Sequence, residues 1–214
     1  LALPQRYRTV RRAARIEYHD KKSRFIADCR PLADEAMAQQ FIQSIQHEFP
    51  DATHHVYAYI LAGETFLQRY SDNGEPQGTA GLPVLDVLRK GEILQAGIVV
   101  TRYFGGTLLG SGGLVHAYST AARNALLSAE PLILQLCQRI RITLDYCFYD
   151  KIRHQMAAHG FYCESPRYSQ QVELTAGAPP ERLNELLALL DDLTAATARV
   201  EPRESAYLPL DVPG

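Results

Sequence analysis

The chain has 214 residues, 46% hydrophobic and 21% charged, with a net charge of −2. At ~150 residues per domain this gives one large or two small domains, and the composition excludes a disordered chain and a uniformly basic nucleic-acid coat. No apolar run approaches the ~20 residues that cross a bilayer, and no signal-peptide pattern opens the sequence, so a cytoplasmic protein without a membrane partner is expected.

In chain order, Val10–Tyr18 and Arg24–Arg30 read as a hairpin around Asp20-Lys21-Lys22. Asp34 caps a helix with the apolar stripe Ala38, Phe41, Ile42, Ile45 and Phe49, ended by Pro50. His54 to Leu61 alternates as a strand, with His54, Val56, Ala58 and Ile60 on one face and His55, Tyr57 and Tyr59 on the other. Asn73-Gly74 is a hairpin-turn signal. Pro83 to Lys90 is a short helix closed by Gly91, and Gly97–Phe104 is apolar enough to be a central strand buried on both faces. From Gly112/Gly113 to Ala129 runs a helix with a small-residue face of Leu114, Ala117, Tyr118, Ala121 and Ala125.

Composition shifts near Glu130-Pro131 from a glycine-rich half to one almost free of glycine, which divides the chain into domains 1–130 and 131–214. The second half reads as strand Leu136–Tyr146, helix Asp150–His159 capped by Asp150, strands Phe161–Tyr168 and Gln170–Thr175, a helix opened by Pro179-Pro180, and strand Thr197–Arg203. That β-α-β-β-α-β order is the ferredoxin-like split unit, so the fold class is α+β throughout. The fold by itself carries no function.

Chemistry concentrates in three stretches: Ser71 to Gly81, Thr101 to Gly106, and Leu109 to Gly113. More than half of the fourteen glycines lie there, and the first and third stretches run into helices. Free N–H groups at a helix start favour phosphate or carboxylate, and Arg102 can add a guanidinium. The candidate anion- or RNA-binding set is therefore Arg102, Gly105, Gly106, Gly110, Ser111, Gly112, Gly113 and Thr79. The same glycines serve equally as tight strand-to-helix turns. Lys21, Lys22 and Arg24 join the set because residues 1–30 carry nine basic and three acidic side chains, +6 against −8 for the rest. Strand parity puts Arg102 with Ile98 and Val100, on a face that is expected to be buried.

His54, His55, Asp72, Glu75 and Tyr103 are supporting candidates. Asp72 and Glu75 flank the Asn-Gly turn and are expected to be turn formers and solvated acids, and the two histidines point to opposite faces and cannot share a metal. A Walker A reading fails because Ser111 follows Gly110 where Lys is needed, and a GxGxxG reading fails at Val115. Cys29, Cys137, Cys147 and Cys163 form no CxxC pair and are expected as free thiols, with Cys137 and Cys147 at opposite ends of one strand. No catalytic set, metal site or cofactor is expected.

Several rare strings occur in order: Lys22-Ser23-Arg24-Phe25-Ile26, His54-His55, Ser71 through Gly81, Val99 through Gly106, and Leu109 through Tyr118. By these the chain resembles the IMPACT (YigZ-type) family over most of residues 20–130. Asn73 stands where that family commonly has Asp, and His116 where Lys or Arg is frequent. The resemblance implies an N-terminal domain similar to domain IV of elongation factor G, with an unusual crossover connection, and a C-terminal domain similar to its domain V. It further implies a role in translation: eukaryotic relatives compete for the activator of an initiation-factor kinase. The expected function is a non-enzymatic, translation-related regulatory protein whose partner is RNA, a ribosome or a translation factor. The alternatives are an enzyme or sensor holding a phosphorylated small molecule at the glycine-rich helix start, and a module that docks a protein partner. The oligomeric state is left open.

Overall fold

The computed structural model describes residues 3–63 and 66–209, in two compact units, Leu1–Leu132 and Ile133–Gly214. The first unit contains β1 (Arg6–Val10), β2 (Ala14–Asp20), β3 (Ser23–Pro31), α1 (Glu35–Glu48), β4 (His54–Leu61), β5 (Leu67–Ser71), α2 (Gly81–Lys90), β6 (Ala96–Tyr103) and α3 (Gly110–Ser128). Its five-stranded antiparallel sheet has the order β2-β3-β6-β4-β5.

Strand β6 is central, and Ala96 through Arg102 are all buried because helices cover both of its faces. Ile98 and Val100 meet Phe25, Ala27, Val56, Ala58 and Ile60 beneath α2 and α3. On the opposite face Val99, Tyr59 and Leu61 receive Ala38, Phe41, Ile42 and Ile45 of α1. Each large aliphatic side chain buried this way contributes about 1.5–3 kcal/mol. Asp34 caps α1 as the sequence predicts, its carboxylate accepting from the Met37 N–H at 2.7 Å. Small residues at Ala117, Ala121, Ala122 and Ala125 let α3 pack against this layer.

The second unit begins within β7 (Pro131–Leu144) and continues through α4 (Tyr146–Ala158), β8 (Tyr162–Cys163), β9 (Arg167–Tyr168), β10 (Val172–Ala178), a 3-10 turn at Pro180–Arg182, α5 (Leu183–Thr194), β11 (Arg199–Pro202) and β12 (Ala206–Pro209). The order β11-β7-β10-β8, all antiparallel, is that of the ferredoxin-like unit, so the α+β class and the β-α-β-β-α-β order both hold. Ile140, Ile142, Leu144, Val172, Leu174 and Ala176 form one face, which α4 and α5 cover with Ile152, Met156, Leu186 and Leu190.

Several local readings are corrected. The α4 helix starts at Tyr146 behind Asp145, not at Asp150, because burial of Tyr149, Ile152 and Met156 overrides the strand preference of the Tyr-Cys-Phe-Tyr run. Cys147 therefore lies on that exposed first turn and not on the strand with Cys137, while all four thiols are free. Burial pushes the Cys29 thiol up to about 12, which leaves it inert. The stretch Phe161–Tyr168 is broken into β8 and β9 around Glu164-Ser165-Pro166, and α3 begins at Gly110. The final strand shortens to β11, and β1 and β12 are additions that the sequence pattern does not announce. Leu94 N–H donates to the Arg8 carbonyl at 2.8 Å, which holds β1 beside the segment before β6.

Candidate functional site

Parity along β6 places Arg102 on the face that α2 and α3 cover, opposite His54 of β4 and Phe25 of β3. The guanidinium is 5% exposed and donates to Glu75 Oε1 at 2.5 Å and to Ser23 Oγ at 3.1 Å. The same Glu75 oxygen accepts the Tyr118 hydroxyl at 2.7 Å. Desolvation, then the Glu75 charge, push the Tyr118 phenol far above its ordinary range, so it remains a donor. Arg102 Cζ also lies 5.5 Å from the Phe25 ring centre and 5.4 Å from that of Phe104. Arg102 is thus not a solvent-facing anion ligand, and Glu75 is not a solvated acid. They are two halves of a buried ion pair that joins β6, α3 and the turn after β5. His54 stands beside the pair, its Nε2 3.8 Å from Glu75 Oε1, beyond hydrogen-bond range.

The Asn-Gly turn has the expected backbone, with φ of 44° at Asn73 and 88° at Gly74, and Glu75 N–H closing onto the Asp72 carbonyl at 3.0 Å. It leads to α2, however, and not into a second strand. The reason is Asp72. Its carboxylate accepts from Gly78 N–H at 2.9 Å, Ala80 N–H at 3.1 Å and Gly81 N–H at 2.8 Å, which bends the loop into the helix start. The N-terminus of α2 therefore already holds an internal anion. Thr79, buried with its hydroxyl on the Pro76 carbonyl at 2.6 Å, belongs to that loop and not to an open anion seat. Asp72→Ala is expected to cost about 2 kcal/mol, as lost helix capping with charge-assisted bonds, and urea denaturation measures it.

Both histidines are tied to the frame. His54 Nδ1–H donates to the Asn73 carbonyl at 2.8 Å, while Asn73 Oδ1 accepts the His55 backbone N–H at 2.7 Å. His55 Nε2 bonds to the Phe49 carbonyl at 3.0 Å, and burial lowers its proton affinity. Their side chains lie on opposite faces, and among the described residues no group of His, Cys, Asp and Glu is arranged to hold a metal.

The third stretch differs from the first. Among the described residues no side chain caps the start of α3, and Gly110, Ser111 and Gly112 are exposed. Against it sits the β2–β3 turn. Lys21, at φ 51°, extends Nζ to the Leu108 carbonyl at 3.2 Å, and the Lys22 backbone presses on Gly105, where an added Cβ would lie 1.8 Å from the Lys22 oxygen. Gly106 and Gly110 turn the chain at positive φ, 79° and 75°. So Lys21, Lys22, Gly105, Gly106 and Gly110–Gly113 come together, with uncapped N–H groups and two exposed ammonium groups.

Arg24 stands next to Tyr103 in the β3–β6 register, its Cζ 5.7 Å from that ring, but Glu17 binds it at 2.8 Å. Tyr103 is anchored by donating its hydroxyl to Asp51 at 2.8 Å. Much of the basic N-terminal segment is answered in the same way: Arg12 meets Glu130 at 2.9 Å and Arg15 meets Asp28 at 2.9 Å as well as Glu48. Four of the nine basic side chains, Arg11, Arg12, Arg15 and Arg24, are thus ion-paired, and Lys21 and Lys22 are the cations at the α3 start. In the second unit, a groove of about 750 Å³ on the helix-free face of the sheet includes Arg139 and Arg141, which face Glu164 at 3.0 Å and Glu173 at 4.0 Å. That groove is largely self-neutralised.

The family model for the Impact N-terminal domain matches residues 21–126, and that for a domain of unknown function, DUF1949, matches residues 142–197. The IMPACT family member YvyE of Bacillus subtilis is 34% identical over 202 residues, covering 94% of this chain and 93% of its own. The IMPACT family member YigZ of Escherichia coli is 43% identical over 108 residues, covering 50% of this chain and 53% of its own. A crystal structure of a hypothetical protein superposes with a TM-score of 0.60 at 29% identity, covering 94% of this chain and 99% of that one.

Proposed function

The chain belongs to the IMPACT family, and from that premise we propose that it is a non-enzymatic regulator of translation that works by binding RNA or a ribosomal surface. The observation that carries this reading is the exposed, uncapped start of α3 with the Lys21-Lys22 turn seated against Gly105. Oriented N–H groups and two ammonium groups suit a phosphodiester, and the neighbouring glycines remove the side chains that would keep a backbone away. Arg102 has no part in this contact, since Glu75 occupies it.

Ribosome co-sedimentation of the purified chain, with and without nuclease, is the direct test. A chain that neither pellets with ribosomes nor binds RNA in a salt-dependent way overturns the proposal. On single-stranded RNA, Lys21→Ala and Lys22→Ala are each expected to reduce the log–log salt slope by about 0.7, the value of one phosphate contact, while folding is unchanged. A second reading, a phosphorylated metabolite held by the same N–H groups, is favoured by the missing side-chain cap on α3. A thermal-shift panel distinguishes it, since a ligand at 100 times its Kd adds about 2.7 kcal/mol of stability.

A further inference from the structure

Away from the α3 start, the first unit has a trough between α2 and α3 with a volume of about 450 Å³. Its α3 wall is a straight row: Val115, Ser119, Arg123 and Leu127 follow one another at four-residue spacing. Residues four apart stack on one helix face, and twelve residues at 1.5 Å each make the row about 18 Å long. The α2 wall contributes Leu82, Val87 and Lys90. Leu127 is 62% exposed and Val115 40%, so the row presents an aliphatic side chain at each end.

Charge on the rim has one sign in excess. Arg8, Lys90 and Arg123 line the trough against a single acid, Asp86, which is already 3.4 Å from Arg89. Arg8 spends one N–H on the Gly91 carbonyl at 3.4 Å and keeps its charge.

We propose that this trough receives one amphipathic, acidic α-helix of a protein partner. Its apolar side chains would lie on Val87, Val115 and Leu127, and its carboxylates would meet Arg8, Lys90 and Arg123. Three features select that occupant. The length of the row matches about three helical turns and exceeds the span of a compact metabolite. The floor is aliphatic, and no aromatic ring lines it, so unpaired RNA bases find nothing to stack on. A second copy of the chain docked by a two-fold axis would bring one basic rim against another, which repels. An apolar floor between cationic edges is the arrangement by which a helix is read in a groove.

The test uses the full chain and a fluorescein-labelled 18-residue peptide with leucines on one helical face and glutamates elsewhere. A scrambled peptide of equal composition and a lysine-for-glutamate version are the controls. The glutamate peptide is expected to bind with a Kd at least tenfold below both controls, and to weaken as salt rises. Lys90→Glu with Arg123→Glu should weaken it at least tenfold and transfer preference to the lysine peptide, and Leu127→Asp should abolish it. All three side chains are exposed, so circular dichroism should show an unchanged fold. Amide shifts in a labelled sample should centre on Val115 to Leu127. Equal binding of the scrambled peptide, indifference to the charge reversal, competition by RNA, or self-association through the trough would each overturn the proposal. The same variants should leave ribosome co-sedimentation unaltered.

Discussion

Glu75→Ala is expected to lower the free energy of unfolding by about 3–5 kcal/mol, the cost of leaving one member of a buried ion pair without the other. The Arg102 guanidinium, 5% exposed, would keep its charge with only the Ser23 hydroxyl to receive it, and its Nε already has no partner. The Tyr118 hydroxyl would lose its acceptor at the same time. Replacing both charges, Glu75→Leu with Arg102→Met, is expected to recover most of the loss, because a buried pair owes little net stability to its mutual attraction once desolvation is counted. Urea denaturation of the two variants decides the matter. A single-substitution cost below about 1 kcal/mol would mean that the pair behaves as a screened surface contact. The comparison also separates fold from function: the double variant should retain whatever RNA affinity the Lys21-Lys22 turn confers.

What the sequence conveys of this arrangement depends on how local the signal is. Gly97–Phe104 is readable as a central strand because burial on both faces leaves no polar alternation, and parity alone warns that Arg102 faces inward with Ile98 and Val100. Its partner is not readable, since Glu75 lies 27 residues upstream in a turn where an acid is ordinarily solvated. Asp72 is hidden for a similar reason. A cap is sought immediately before a helix, whereas this carboxylate reaches Gly81 from nine residues away, across the turn that Asn73 ties to β4. The first strand, Arg6-Tyr7-Arg8-Thr9-Val10, has no apolar alternation and exists by backbone pairing, which leaves no trace in side-chain pattern. The aromatic run at the head of α4 misleads in the other direction, because Tyr and Phe prefer strands until a core claims them. The two glycine-rich stretches that run into helices are equally suited to turns or anion seats by composition. What separates them is whether an internal carboxylate occupies the helix start: Asp72 does so at α2, and among the described residues no side chain does at α3.

The seat of the Lys21-Lys22 turn makes Gly105→Ala the second large effect. A Cβ at Gly105 would lie 1.8 Å from the Lys22 carbonyl oxygen and 2.2 Å from its carbon, both backbone atoms that cannot rotate aside. The turn must therefore lift away from the loop before α3, at a cost of about 1–3 kcal/mol or more, as for other overpacked contacts. Gly106→Ala provides the control. Nothing lies within 4 Å of its added Cβ, and its φ of 79° brings only the left-handed penalty of about 1–2 kcal/mol. If the turn and the α3 start act together on RNA phosphates, Gly105→Ala should lower affinity and flatten the salt slope by more than Gly106→Ala, whose added methyl leaves the Lys21-Lys22 turn in its seat. Lys21 loses its hold on the Leu108 carbonyl when the turn lifts, so the affinity loss should approach that of Lys21→Ala with Lys22→Ala combined. Wild-type stability in Gly105→Ala would show that the turn does not rest on the loop, and wild-type RNA binding by a destabilised Gly105→Ala would detach the basic turn from recognition.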